Sequence, residues 1–250
     1  ARLSRITLGR RTLNSTACGM AKMSIQIIAL SMLIAMTACG EVPVRVVYRS
    51  GHPFSDDERR AIESIAGSTA REVRKLLPML PPTFSVFVDT SDRVIPETGE
   101  TGSVSMPSGV YWTVNPKHEG GVKAIVETQL RSTLFHELYH AVRETAVPTR
   151  SLHDFAINEG LATVFERDFG AGKVPWGEYP PEVLHWTMEF LALPENADRH
   201  QWMTRHADGR RWIGYKVGTY LAERAVRVSG LPVTGLATTP TEQIIAWAVQ

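Results

Sequence analysis

Residues 136–140, with the sequence His-Glu-Leu-Tyr-His, carry the side chains of this chain that are best suited to hold a metal ion. Positions four residues apart on an α-helix lie one turn apart on nearly the same face, so His136 and His140 can bind one ion together. Neutral imidazole suits Zn²⁺, and catalytic zinc sites keep a position open for water. Glu137 borders that position in such a motif and can accept a proton from the water. The segment therefore predicts a zinc site on a helix, with Glu137 as the general base.

A third protein ligand completes most catalytic zinc sites, commonly a His shortly downstream or a Glu on the following helix. His153 is too far from His140 for the first arrangement. Glu159 fits the second, because 18 residues separate it from His140. His136, His140 and Glu159 are thus the predicted ligands of one zinc ion per chain.

The two ligand strings resemble those of the gluzincin zinc metallopeptidases, in which an HExxH helix precedes a Glu ligand in an Asn-Glu-x-x-Ala string, here residues 158–162. The resemblance implies zinc-dependent hydrolysis of a peptide or protein substrate. It also implies an α+β, zincin-like fold, in which a small N-terminal sheet with a helix precedes a mainly helical half that carries the metal. Gluzincins commonly stabilise the oxyanion with a Tyr or His of the helical half. Tyr215 is the candidate here, and a structural Tyr packed between helices is the alternative. Its competitors are Tyr220, His185, His200 and His206.

Metal-ligating histidines usually donate their other ring nitrogen to a carboxylate or a carbonyl. Thermolysin-like gluzincins use an Asp four residues after the Glu ligand, whereas this chain has Thr163 there. Glu166 and Asp154 are the remaining candidates. The chain also has no Gly-Ala-Met-Glu-Asn string, with which aminopeptidase relatives hold a free amine. The motifs therefore do not distinguish an endopeptidase from an exopeptidase.

The elements that position these residues follow from periodicity and capping signals. Ser55 and Glu58 form a capping-box pattern that opens a helix ending before Pro78. Strands are predicted over 42–49, 84–88 and 110–114, with a loop over 99–109. Helices are predicted over 123–144, 152–168, 181–193 and 212–228. In the zincin plan an edge strand pairs with extended substrate; residues 110–114 are the candidate, and an ordinary core strand is the alternative.

The first 38 residues have the pattern of an N-terminal extension followed by a signal peptide. Lys22 precedes an apolar run over 25–35, shorter than the roughly 20 residues of a membrane span. The run leads to small residues before Cys39, which resembles a bacterial lipoprotein signal with a lipid anchor on this Cys. Under this interpretation residues 39–250 form the metallopeptidase domain, anchored to the outer membrane and facing the periplasm. An ordinary secretory signal, or a buried helix that ends in Cys, is the alternative.

Composition narrows the function classes further. The chain has 250 residues, of which 43% are hydrophobic and 21% charged, as in globular proteins. Its net charge of +1 depends on five basic residues before position 39, without which 22 basic residues face 26 acidic ones. No clustered basic surface for nucleic acid is predicted. Cys18 and Cys39 are the two cysteines, so residues 40–250 contain no Cys and form no disulfide with one another. A metal site in this range must therefore use His and carboxylate ligands.

Three functions are consistent with these features. The first is a zinc-dependent peptidase tethered to the bacterial cell envelope. The second is a non-catalytic zinc-binding lipoprotein that recruits a peptide or protein partner. The third is a structural lipoprotein in which the two histidines lie on a helix surface without metal. Metal content and peptide cleavage distinguish them.

Overall fold

The computed structural model describes residues 44–107, 109–171, 174–194 and 197–250. The predicted signal peptide and Cys39 lie outside these ranges. Within them, no helix combines the length and the apolar character needed to span a bilayer.

The N-terminal part contains four strands and one long helix. Strand β1 covers Val44–Tyr48, helix α1 covers Asp56–Leu76 and strand β2 covers Phe84–Thr90. Both halves of the predicted capping box are present at the start of α1, between Ser55 and Glu58. Strand β3 covers Glu100–Ser105 and strand β4 covers Gly109–Val114.

The strands form one sheet in the order β1-β2-β4-β3. The first three in this order are parallel neighbours, whereas β3 runs antiparallel to β4. The predicted loop over 99–109 is therefore wrong in part, because backbone pairing with β4 holds this Gly-, Ser- and Thr-rich segment as a strand despite its low strand propensity. The predicted edge position of residues 110–114 is also wrong. β4 lies between β2 and β3, and β3 is the edge strand.

The remainder is mainly helical, which confirms the predicted α+β class. A continuous helical segment comprises α2 (Gly121–Ile125), a π-helical turn (Val126–Leu130) and α3 (Arg131–Ala146). Helix α4 (Leu152–Phe165) runs into a second π-helical turn (Glu166–Gly170). The later helices are α5 (Val183–Leu191), α6 (Arg199–Met203), α7 (Ile213–Ser229) and α8 (Thr241–Ala248), with a 3₁₀ turn at Gly235–Thr238. Of these, α6, α8 and the 3₁₀ turn were not predicted.

The hydrophobic core lies where α1 and α3 pack against the sheet. Alternate residues of β2 and β4 are buried there, among them Val86, Val88 and Trp112. Helix α3 contacts both β3 and β4. This packing brings the edge strand of the sheet directly beside the helix that carries the two histidines.

Candidate metal centre

Helix α3 holds His136, Glu137 and His140 inside the protein. Every residue from Ser132 to Arg143 is buried, so this helix section has little contact with bulk water outside the cavities that it lines. Apolar side chains fill the sides that contact the core. The two histidines instead meet carboxylates of α4 and of the π-helical turn that follows it, as expected for buried polar side chains.

The predicted ligands lie together. Helix α4 starts with a capping box between Ser151 and Asp154 and carries Glu159 in its second turn. Nε2 of His136 lies 3.0 Å from Oε2 of Glu159 and 3.0 Å from Nε2 of His140. Nε2 of His140 lies 3.3 Å from the same Glu159 oxygen. Three possible ligand atoms thus form a nearly equilateral triangle.

This triangle fits a zinc ion. Ligands about 2.0–2.1 Å from a tetrahedral zinc ion are separated from each other by roughly 3.3 Å, close to the three observed distances. The donor set is two imidazole nitrogens and one carboxylate oxygen, a common set in catalytic zinc sites. Zinc binding by His136, His140 and Glu159 is still a prediction, but the geometry of the group satisfies its requirements.

The electrostatics of the group also favour a cation. Burial opposes protonation of His136, but hydrogen bonds to Glu159 and Glu166 outweigh it and raise the pKa of His136 well above its usual value. Burial would raise the pKa of Glu159, but the positive charge of His140 and hydrogen bonds from both histidines hold it well below the usual range. Both shifts have one cause, since buried carboxylates require a positive charge beside them, either a proton or a metal ion.

Glu166 supports the first histidine. Its Oε2 lies 3.0 Å from Nδ1 of His136, which leaves Nε2 of that ring free for a metal. Ser132 donates a hydrogen bond of 2.8 Å to the other carboxylate oxygen and so holds the Glu166 side chain in place. Of the two predicted candidates, Glu166 thus contacts a ligand. Asp154 instead caps its own helix by accepting hydrogen bonds from the backbone of Ser151.

Thr163 does not take the place of the Asp found in thermolysin-like gluzincins. Its hydroxyl is buried and has no hydrogen-bond partner among the described residues. Nδ1 of His140 is likewise without a partner in the described part of the chain. The carboxylate that supports His136 is displaced from position 163 to position 166, about one helical turn further along the chain.

Glu137 faces the edge strand β3. A Cβ atom added at Gly102 would lie 2.6 Å from Oε1 of Glu137, so only glycine lets the strand pass this close to the carboxylate. Burial raises the pKa of Glu137 from 4.5 to about 7, against the lowering effect of His136 and His140. In the metal-free protein this carboxyl group is therefore a stronger proton acceptor than an exposed glutamate.

Tyr215 reaches the site because α4 and α7 cross at two glycines. A Cβ atom on Gly160 would lie 2.0 Å from the carbonyl carbon of Gly218, and one on Gly218 would lie 1.8 Å from the carbonyl oxygen of Ala156. The backbones of α4 and α7 therefore approach each other closely at Gly160 and Gly218. Burial, followed by the charges of Glu159 and Glu137, raises the pKa of Tyr215 well above its usual value.

Two cavities border the ligand group. The cleft, with a volume of about 300 Å³, lies between Gly102–Val104 of β3 and residues of α3 and α4 that include His140 and Glu159. A smaller aromatic pocket of about 70 Å³ is lined by Glu100, Trp176 and Trp212. Gly102, His136, Glu137 and Tyr215 line both cavities. The competitors proposed for Tyr215, namely Tyr220, His185, His200 and His206, line neither of these two cavities.

Glu100 is a functional candidate that sequence reasoning missed. It is 2% exposed, and its Oε2 accepts hydrogen bonds from Trp112 Nε1 at 2.8 Å and from Thr133 Oγ1 at 3.0 Å. Burial raises its pKa from 4.5 to about 7. A lone Glu in a segment typical of a loop gives no sequence signal of this kind, because the burial results from the pairing of β3 with β4.

Comparisons with known proteins agree with this geometry. Residues 63–246 match the family described as Predicted Zn-dependent protease (DUF2268). The matched range includes α3, α4 and α7, the three helices that carry the predicted site residues. Neither a curated protein nor a protein of solved structure matches the chain significantly.

Proposed function

Because the chain belongs to DUF2268, a family of predicted Zn-dependent proteases, we propose that it hydrolyses peptide bonds with one zinc ion held by His136, His140 and Glu159. The convergence of the three ligand atoms beside an open cleft, with Glu137 at its wall, carries this proposal. Zinc in such a site polarises a carbonyl group and lowers the pKa of water toward 7.

Glu137 is the general base of the proposed reaction. Its carboxylate accepts a proton from the attacking water and then passes that proton to the amine that leaves. Burial raises the pKa of this carboxyl group in the metal-free protein, and a raised pKa makes it a stronger proton acceptor. The close passage of β3 at Gly102 keeps bulk water away from one side of this carboxylate.

Tyr215 donates a hydrogen bond to the oxyanion that develops on the substrate carbonyl. Its raised pKa keeps the hydroxyl protonated over the whole physiological range, so it stays a donor. The ring is positioned from α7, which is held against α4 by the crossing at Gly160 and Gly218. The hydroxyl is therefore positioned by helix packing rather than by a loop.

The edge strand β3 offers a place for the substrate backbone. It pairs with β4 on one side, and its residues Gly102–Val104 line the cleft. An extended peptide can add to such an edge through main-chain hydrogen bonds. The scissile bond would then lie between β3 and the ligand group on α3 and α4.

The proposed location is the bacterial cell envelope. A lipid on Cys39 would anchor the domain to the outer membrane, with the cleft open to the periplasm. The support for this part is the sequence pattern before Cys39. Labelling with a radioactive fatty acid in a bacterial host, lost in Cys39→Ala, is the corresponding test.

The test of the enzymatic proposal is Glu137→Gln in the zinc-loaded protein. We expect zinc content to stay at one ion per chain while kcat on a peptide library falls by at least about 100-fold, the usual contribution of a general base. Glu63→Gln is the control, since Glu63 is exposed on α1 and lines neither of the two cavities. Its kcat is expected to stay near that of the wild type.

Each other outcome has a definite meaning. Undiminished cleavage by Glu137→Gln would exclude Glu137 as the base. Tight peptide binding by the wild type without cleavage would favour the non-catalytic lipoprotein that recruits a partner. Absence of zinc after incubation with the metal would favour the structural lipoprotein.

A further inference from the structure

The aromatic pocket beside the ligand group has walls of a type that attracts cations. The ring centroids of Trp176 and Trp212 lie 5.6 Å apart, those of Trp212 and Tyr215 lie 5.4 Å apart, and those of Trp176 and Tyr215 lie 6.3 Å apart. The three rings thus pack against one another and form one aromatic part of the pocket wall. The negative faces of aromatic rings attract ammonium and guanidinium groups.

Glu100 brings a carboxyl group to the same pocket, and a cation beside this group would favour its ionised form. Its Oε2 is engaged by Trp112 and Thr133, whereas Oε1 has no hydrogen-bond partner among the described residues. The residue is almost completely buried, and it lines the pocket. A buried carboxyl group with one free oxygen beside a cavity can stay neutral by holding a proton, or it can ionise when a cation pairs with it.

The other charged groups in the lining of this pocket are acidic except for His136, whose two ring nitrogens already contact Glu166 and Glu159. Glu137 and Glu166 are also part of the lining, and no Lys or Arg is among the lining residues that the structure describes. Arg211 lies 5.3 Å from the Trp212 ring centroid, but it pairs with Glu97 and is not part of the lining. With Glu159 of the adjoining cleft, four acidic side chains lie in this region.

The backbone of Trp212 indicates that its indole position matters. Its φ of 60° lies in the left-handed region, which is unfavourable for a bulky residue. The backbone N–H of Trp212 donates a hydrogen bond to the Thr204 carbonyl, which helps to hold this conformation. The fold accepts an unfavourable conformation and thereby keeps the ring at the pocket wall.

From these observations we infer that the aromatic pocket binds a cationic group of the substrate, an ammonium or a guanidinium, between Glu100 and the rings of Trp176 and Trp212. The inference rests on the proposed function, because the cation is taken to belong to the peptide that is cleaved. The cation is either a Lys or Arg side chain or a free N-terminal amine. Glu100 is then a specificity residue and not a catalytic one.

The size and location of the pocket fit this role. Its volume of about 70 Å³ corresponds to roughly five water-sized spheres, enough for the charged end of a side chain. It adjoins the cleft through Gly102, His136, Glu137 and Tyr215. A peptide lying along β3 can therefore place its cationic group in the pocket while its scissile bond lies beside Glu137.

The first test uses small probes that no protease can cleave. Butylguanidinium and its neutral isostere butylurea are titrated into the zinc-loaded full-length protein, with tryptophan fluorescence as the readout, since two of the six tryptophans line the pocket. We expect the cation to bind at least about tenfold more tightly than the urea, and Glu100→Gln to abolish this preference. Glu63→Gln, an exposed change on α1, is the control that keeps it.

Equal binding of both probes to the wild type would overturn the inference, and this result does not depend on whether Glu100→Gln folds. A preference that persists in a folded Glu100→Gln variant would overturn the role of Glu100. Trp212→Leu is a second variant, and it should weaken butylguanidinium binding more than butylurea binding.

The second test identifies the source of the cation. Peptides of one sequence are compared with Arg or citrulline at each position near the cleaved bond, and with a free or acetylated N-terminus. A drop in kcat/KM of at least about tenfold on citrulline assigns the side chain, and the same drop on acetylation assigns the terminal amine. Cleavage that is indifferent to both changes overturns the inference. Absence of cleavage of every peptide, with the probe preference retained, refutes the proposed hydrolysis and leaves the cation pocket standing.

Discussion

Glu166→Gln tests the supporting contact to His136 without changing the size of the side chain. In the structure the Glu166 carboxylate accepts from Nδ1 of His136 and from the hydroxyl of Ser132. The amide can keep both hydrogen bonds, since its oxygen can accept from His136. It loses the negative charge that makes the imidazole a stronger ligand. We therefore expect weaker zinc binding in a protein that is folded normally.

The magnitude follows from two opposing effects of the charge. Removing a carboxylate that supports a metal-bound His weakens metal affinity by about 10- to 100-fold, which is about 1.4–2.8 kcal/mol. Glu166 also helps to raise the pKa of His136, so in the wild type a proton competes with zinc for Nε2. The variant relieves this competition. The loss in affinity should therefore be larger at pH 8.5 than at pH 6.5.

The assay is competition for zinc between the protein and a fluorescent chelator of known affinity at these two pH values. Asp154→Ala is the comparison variant, because Asp154 was the other sequence candidate and instead caps α4. It should lower the free energy of unfolding by about 1 kcal/mol, as loss of a helix cap does, and leave zinc affinity unchanged. Circular dichroism of both metal-free variants verifies the fold.

An unchanged zinc affinity of Glu166→Gln at pH 8.5 would refute the reasoning. So would a loss that is greater at pH 6.5, because the proton competition would then have the wrong sign. Weakened zinc binding by Asp154→Ala in a folded protein would show that helix α4 as a whole, and not the contact to His136, governs the affinity.

Three further predictions concern stability. Burial raises the pKa of Glu100 from 4.5 to about 7. Between these pH values the folded protein keeps the proton on Glu100, whereas the unfolded chain has released it. The contribution of Glu100 to the free energy of unfolding therefore falls as the pH rises from 4.5 to 7. In the metal-free protein, the free energy of unfolding of Glu100→Gln relative to the wild type should therefore increase by up to about 3 kcal/mol between pH 4.5 and pH 8, measured by urea denaturation; parallel curves would contradict this. Gly160→Ala should destabilise the protein by at least about 1–3 kcal/mol, because its Cβ would lie 2.0 Å from the backbone of Gly218. Gly67→Ala should stabilise helix α1 by about 0.5–1 kcal/mol, because the nearest atom to its added Cβ would be the Arg71 guanidinium at 3.6 Å. Thermal unfolding of the two glycine variants tests both predictions. A shift of the two melting temperatures in the same direction would contradict one of them.

Local patterns in the sequence were sufficient for the parts of the site that lie on single helices. His136, Glu137 and His140 share one helical turn, so their spacing alone predicts that they face one point. Glu166 follows Glu159 by seven residues, which is two helical turns, and the same rule explains why both carboxylates meet His136. The capping box of Ser55 and Glu58 also depends on neighbouring residues only, and it too was predicted from the sequence.

The order of the strands in the sheet could not be predicted from local sequence patterns. Residues 110–114 have the strongest strand pattern near the metal helix, yet they lie inside the sheet. β3 has weak strand propensity, and it becomes the edge strand because its backbone pairs with β4. Pairing partners are set by contacts between distant segments, which neither periodicity nor propensity records.

By itself, then, the sequence determined which residues could bind zinc and accept a proton, because helix geometry relates sequence spacing to a shared face. Only the tertiary structure decided that Tyr215 lies beside these residues, since its position depends on the crossing of α4 and α7 at Gly160 and Gly218. It also decided that Glu100 is buried beside an aromatic pocket. Residues far away in the chain create this environment around the carboxylate. The sequence does not predict it, because burial is a property of the packed fold.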